Sequence, residues 1–138
     1  MQKRSLGFLA LCLGFLGGVG CGDASDGQQE TKREADGDSG SFHFLLDTDQ
    51  PISQGKNDFH LSLSSISTKT PLPGAMVSVA ARMPAMAHDA ASADAVDAGG
   101  GEYDVSSLAF SMAGRWVVRV EATLDMTSDE TTFTYDIP

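Results

Sequence analysis

The segment Met83-Pro84-Ala85-Met86-Ala87-His88 holds two thioethers and one imidazole within six residues. Thioether sulfur and imidazole nitrogen are soft and borderline donors, a set that favours Cu(I) over magnesium or calcium. Pro84 removes a backbone donor and fixes φ, so a strand arriving at Met83 stops there and leaves the following residues in a loop where donors can converge. Met112, just before Ala113-Gly114-Arg115-Trp116, is a fourth candidate donor. Against a shared site stands packing, because methionine is an adaptable filler and Met83 continues the inward phase of Val77, Val79 and Ala81. Met83 is therefore expected in the core, and Met86 and His88, past the strand end, are the stronger ligand candidates.

Catalytic chemistry has less to stand on. A nucleophile needs an oriented base beside it. Both cysteines, Cys12 and Cys21, fall in the first 21 residues, and no nucleophile-elbow pattern surrounds a serine. His43 and His60 sit in alternating segments opposite apolar neighbours and read as solvent-facing. Asp47 and Asp49 have the spacing that opens a calcium loop, but Ile52 stands where such a loop requires Gly and no Glu closes it. The chain is expected to be non-enzymatic, with no catalytic residues.

The elements that must hold the sulfur residues are strands. From Phe42 onward apolar and polar residues alternate with a period of two. Trp116, Val118, Val120, Ala122 and Leu124 share one face of a strand, and Arg119, Glu121, Thr123 and Asp125 the other. Phe59, Leu61 and Leu63 alternate with His60, Ser62 and Ser64 in the same way. Further strands are expected at 42–46, 76–83, 103–108 and 132–137. Turn signals separate them at Pro51 with Gly55, Pro71-Leu72-Pro73-Gly74, Gly99-Gly100-Gly101, Ala113-Gly114 and Ser128-Asp129. Six or seven short strands at this spacing predict an all-β antiparallel sandwich over residues 42–138. The stretch Ala85–Ala98, rich in Ala with recurrent Asp, is expected to be a mobile acidic loop or at most a helical turn.

Ahead of the sandwich the composition changes. Residues 22–41 contain no aliphatic or aromatic side chain larger than Ala, so residues 21–41 are expected to form a disordered acidic linker. A flexible chain of that length has an r.m.s. reach of roughly 25 Å. Lys3 and Arg4 precede an apolar run from Leu6 to Val19, too short to be a comfortable membrane span and patterned as a secretory signal over residues 1–20, with an uncleaved membrane anchor as the alternative. The run ends in Gly18-Val19-Gly20-Cys21, which resembles the lipobox of bacterial lipoproteins. That resemblance implies cleavage before Cys21 and lipidation of its sulfur, leaving the folded domain without a free thiol. The expected location is the cell envelope, lipid-anchored to a membrane on its periplasmic or outer surface.

The 138 residues carry nine Lys+Arg against nineteen Asp+Glu, for a formal charge of -10. A surface of this sign repels phosphate, so no nucleic-acid partner is expected. Self-repulsion of the same sign favours a monomer.

The order of motifs resembles the YtkA-like domain family. It runs from Gly74–Val79 through Met83-Pro84-x-Met86-x-His88 to Gly99-Gly100-Gly101-Glu102-Tyr103. It ends in Leu108-x-Phe110-x-Met112-x-Gly114-x-Trp116-x-Val118-x-Val120, with Pro51, Gly55 and Asn57 at the opening. Ala87 stands where the family commonly has Gly, and residues 89–98 read as a lengthened loop. The resemblance implies an immunoglobulin-like sandwich found outside the cytoplasmic membrane, often in lipoproteins or beside heavy-metal efflux components. It is similar in pattern to FixH-type proteins linked to cytochrome oxidase assembly. The family's Met-Pro-x-Met-x-His stretch and its Met before Gly-x-Trp fall on Met83, Met86, His88 and Met112, which adds to the expectation of a Cu(I) or Ag(I) site there, serving metal handling beside an envelope or metal-efflux protein. The alternative reading is a metal-free structural or interaction module.

Overall fold

The computed structural model describes residues 31–86 and 90–138. The signal segment 1–20, Cys21, the first part of the acidic linker, and His88 lie outside the described residues. Among the described residues eight strands follow one another: β1 (Lys32–Asp36), β2 (Phe42–Asp47), β3 (Gly55–Ser65), β4 (Met76–Arg82), β5 (Ala90–Gly99), β6 (Glu102–Phe110), β7 (Gly114–Leu124) and β8 (Thr127–Ile137). Every pairing is antiparallel, in the order β1-β2-β3-β6-β5-β4-β7-β8.

The sheet folds over on itself through β5. Residues from Arg82's partner Ala90 to Ser78's partner Asp94 pair with β4, and from Ala95 onward the strand pairs with β6. Strands that change sheets in this way make the corners of sandwiches. The result groups β1-β2-β3-β6-β5 on one side and β4-β7-β8 on the other, which is the four-plus-three arrangement of immunoglobulin sandwiches with β1 added at the edge beside β2. The expected fold class is thus observed, with eight strands where about seven were expected.

The inward residues of both sheets meet in one core. Phe44, Leu46, Leu61 and Val105 from one side face Val79, Val118, Val120 and Ile137 from the other, all buried. At one end of the sandwich an edge-to-face aromatic series runs from Tyr135 through Phe59 and Phe110 to Trp116, with ring centroids 6.1, 6.4 and 5.3 Å apart. Each such contact adds about 1 kcal/mol beyond the area it buries.

Three expectations are corrected. Strand β1 lies within the stretch expected to be disordered. It has no large apolar side chain to bury and is held by its backbone ladder to β2, from Lys32 opposite Asp47 to Asp36 opposite His43. Arg33, facing inward, adds a guanidinium 4.5 Å from the Tyr135 ring centroid and a hydrogen bond to the Thr134 carbonyl on β8. Strand β5 replaces the expected acidic loop, with Ala91, Ala93 and Ala95 half-buried and Ser92, Asp94 and Val96 exposed. Ala and Asp are poor strand formers alone, but neighbours on both sides supply the ladder. The last hairpin turns at Asp125-Met126, not Ser128-Asp129, because Leu124 pairs with Thr127 and Asp125 takes φ 54°. Asp tolerates that left-handed conformation better than most residues.

Candidate functional site

At the end of β4 the chain passes Arg82, and Met83 keeps the inward phase of Val79 and Ala81. Pro84 and Ala85 then form a turn in which the Met86 amide donates to the Met83 carbonyl at 3.1 Å. Met83 is 7% exposed and Met86 45% exposed. The turn therefore sends one thioether into the sandwich and leaves the other at the surface.

The β6–β7 turn meets this segment at the start of β7, the strand that pairs with β4 in the same sheet. Gly114 opens β7 with φ 129°, a conformation that L side chains rarely adopt. A Cβ at Gly114 would lie 2.8 Å from Met83 Cε and 4.0 Å from its sulfur. The Met83 thioether thus lies against bare backbone, and only glycine permits that approach. Two residues earlier Met112 is half-buried and packs on the core. Its carbonyl accepts a hydrogen bond of 3.0 Å from Trp116 Nε1–H, so the buried indole ties the turn down from below.

Of the four residues expected to share a site, the structure brings Met83 and the turn bearing Met112 together. It places Met86 on a turn closed onto Met83. His88 lies outside the described residues. The donor chemistry of the described residues, uncharged and soft, fits a monovalent soft cation and not a hard divalent one. Among the described residues no group of three or more His, Cys, Asp or Glu could hold a metal ion. What sequence reasoning missed is the role of Gly114 and Trp116 in setting the rim. Their signal was the spacing Met-x-Gly-x-Trp, which on paper reads only as a turn and a core strand.

The two remaining described histidines sit on the outer face of β2 and β3 as expected, each beside carboxylates. His43 Nδ1 lies 2.7 Å from Asp36 on β1. His60 bonds Asp104 on β6 at 2.8 Å and Asp49 at 3.3 Å. The bond to Asp104 and then that to Asp49 raise the His60 pKa above its ordinary value. These contacts follow cross-strand register, which pairs Asp36 with His43 and His60 with Asp104.

A family model described as YtkA-like matches residues 36–121, well over half of the chain. The chain belongs to the YtkA-like family. No curated protein and no solved structure matches it. The YtkA-like span starts at the last residue of β1 and runs into β7. It includes Met83, Met86, His88, Met112, Gly114 and Trp116, so the whole rim belongs to the part of the chain that the family defines.

Proposed function

We propose that the chain is a non-catalytic, lipid-anchored module of the cell envelope, facing away from the cytoplasm, that carries Cu(I) or Ag(I) as cargo in metal handling. Cys21 is the lipidated residue. Met86 and His88 are the principal ligands, and Met83 and Met112 support or complete the set. The observation that supports this reading is the approach of Met83 to Gly114. It gathers the end of β4 and the β6–β7 turn, which together carry three thioethers, at one rim of the sandwich. A soft monovalent ion is held there by neutral sulfur and imidazole without need of a buried countercharge.

Titration of the full chain with Cu(I) under reducing conditions is expected to reach about one equivalent, with a rise in Tm by mass action. Met86→Ile combined with His88→Ala is expected to abolish both. Equal titration by wild type and double variant would sink the reading.

A second reading has its own support. Met83 is nearly fully buried and belongs to the core, as a packing residue would. On that basis the module serves envelope protein contacts without metal, and its Tm is unchanged by copper.

A further inference from the structure

β4 begins at Met76, but its ladder with β5 starts only at Ser78, opposite Asp94. From Ala95 onward β5 has left to join β6. The first two residues of β4, Met76 and Val77, pair with Thr123 and Ala122 of β7 on one side and have no ladder partner on the other among the described residues. The parting of β4 and β5 leaves a cleft of about 360 Å³, whose walls include Met76, Ser78, Asp94, Glu121 and Thr123.

The cross-strand register arranges its chemistry. Ser78 faces outward with Asp94 opposite it on β5 and Glu121 opposite it on β7. Two strand spacings separate the carboxylate-bearing strands, about 10 Å, with a small hydroxyl as the floor between them. That width admits a guanidinium or ammonium group. Met76, 79% exposed, offers an apolar wall to the aliphatic stem that carries such a group. The cations on this face of β7 are engaged within the chain: Arg115 with Asp136, and Arg119 with Glu130 and Glu121. Asp94 has no ion-pair partner among the described residues.

We infer that this cleft docks an extended basic segment of a partner protein. An Arg or Lys side chain enters between Asp94 and Glu121, its stem lies on Met76, and the main chain runs along the open edge of β4. Charge complementarity selects the occupant, because a chain of formal charge -10 disfavours acidic segments. An exposed strand edge is a common template for an added strand. The cleft is at the end of the sandwich away from Met83 and Gly114, so the inference stands or falls independently of the metal reading.

The test uses the full chain labelled with ¹³C at its methionine methyl groups and a blocked five-residue peptide alternating valine with arginine. A control peptide carries serine in place of arginine. The Met76 methyl resonance is expected to shift with the arginine peptide while those of Met83 and Met112 stay in place. Asp94→Asn with Glu121→Gln is expected to weaken binding about five- to tenfold, and high salt to do the same. Met76→Ser gives an independent check on the apolar wall and is expected to weaken binding as well. An unmoved Met76 methyl, an equal response to the serine peptide, or equal affinity in the double carboxylate variant would each overturn the inference.

Discussion

At the scale of single residues, one carboxylate fixes the entry of the chain into the sandwich. Asp129 on β8 is buried and accepts hydrogen bonds from the amides of Ser39 and Ser41 at 2.8 Å and Phe42 at 2.9 Å. Burial alone would raise its pKa, but the Phe42, Ser39 and Ser41 amides outweigh that and hold the carboxyl below its ordinary value. A depressed folded pKa contributes stability that is present above the unfolded value, near 3.9, and is lost as pH falls through the folded one. Asp129→Asn is therefore expected to cost about 2 kcal/mol at neutral pH and to flatten the acid loss of stability, as read by urea unfolding at pH 7 and pH 3. Gly37 is part of the same clamp, because a Cβ there would fall 2.2 Å from the carboxylate. Gly114→Ala is the corresponding change at the rim. It forces Met83 aside and is expected to cost about 1–3 kcal/mol in thermal unfolding, as overpacking does.

At the scale of elements, β1 shows how a polar strand is retained. Its inward Arg33 closes the seam between the first and last strands by lying over Tyr135 and bonding the Thr134 carbonyl. Among the described residues the arrangement leaves two buried atoms, Arg33 Nε and the Tyr135 hydroxyl, without a hydrogen-bond partner. Removing the hydroxyl while keeping the ring retains the cation–π contact and relieves an unpaired buried group. Tyr135→Phe is expected to leave stability unchanged or raise it by about 1 kcal/mol, whereas Arg33→Ala lowers the Tm. Strands such as β7 were readable because Val118, Val120 and Ala122, all buried, alternate with Arg119, Glu121 and Thr123. β1 and β5 were not, because charged residues or Ala, Ser and Asp carry their alternation, and only the adjoining ladders make it a strand. The candidate site divides the same way. The sulfur and imidazole residues stand out by type, but the meeting of Met83 with Gly114 depends on a positive φ and on the pairing of β4 with β7, neither of which spacing encodes.

At the scale of the whole molecule, register gives the sandwich a direction. β4 delivers Met83 to the same end at which β6 turns into β7, while the Asp125-Met126 turn lies at the opposite end of β7. β7 has eleven residues, so the two ends are separated by about 35 Å. β1 runs away from the rim, from Lys32 opposite Asp47 to Asp36 opposite His43, and Thr31 accepts a bond from the Thr48 amide on the rim side. Lys32 thus lies toward the rim, and the ten residues between Cys21 and Lys32 span at most about 35 Å in any conformation. With the proposed lipid anchor at Cys21, the rim is expected to face the membrane and the Asp125-Met126 turn to face away. Met86 and the fully exposed Met126 mark the two ends. Under the proposed processing, lipidation would consume the Cys21 sulfur and cleavage would remove Cys12, so a cysteine placed at either position would be the one thiol left to label. In vesicles carrying a headgroup quencher, a fluorophore at Met86→Cys is expected to be quenched more strongly than one at Met126→Cys. Equal quenching would mean that the rim has no preferred orientation toward the bilayer, and fluorescence recovered in the soluble fraction would mean that Cys21 does not anchor the chain.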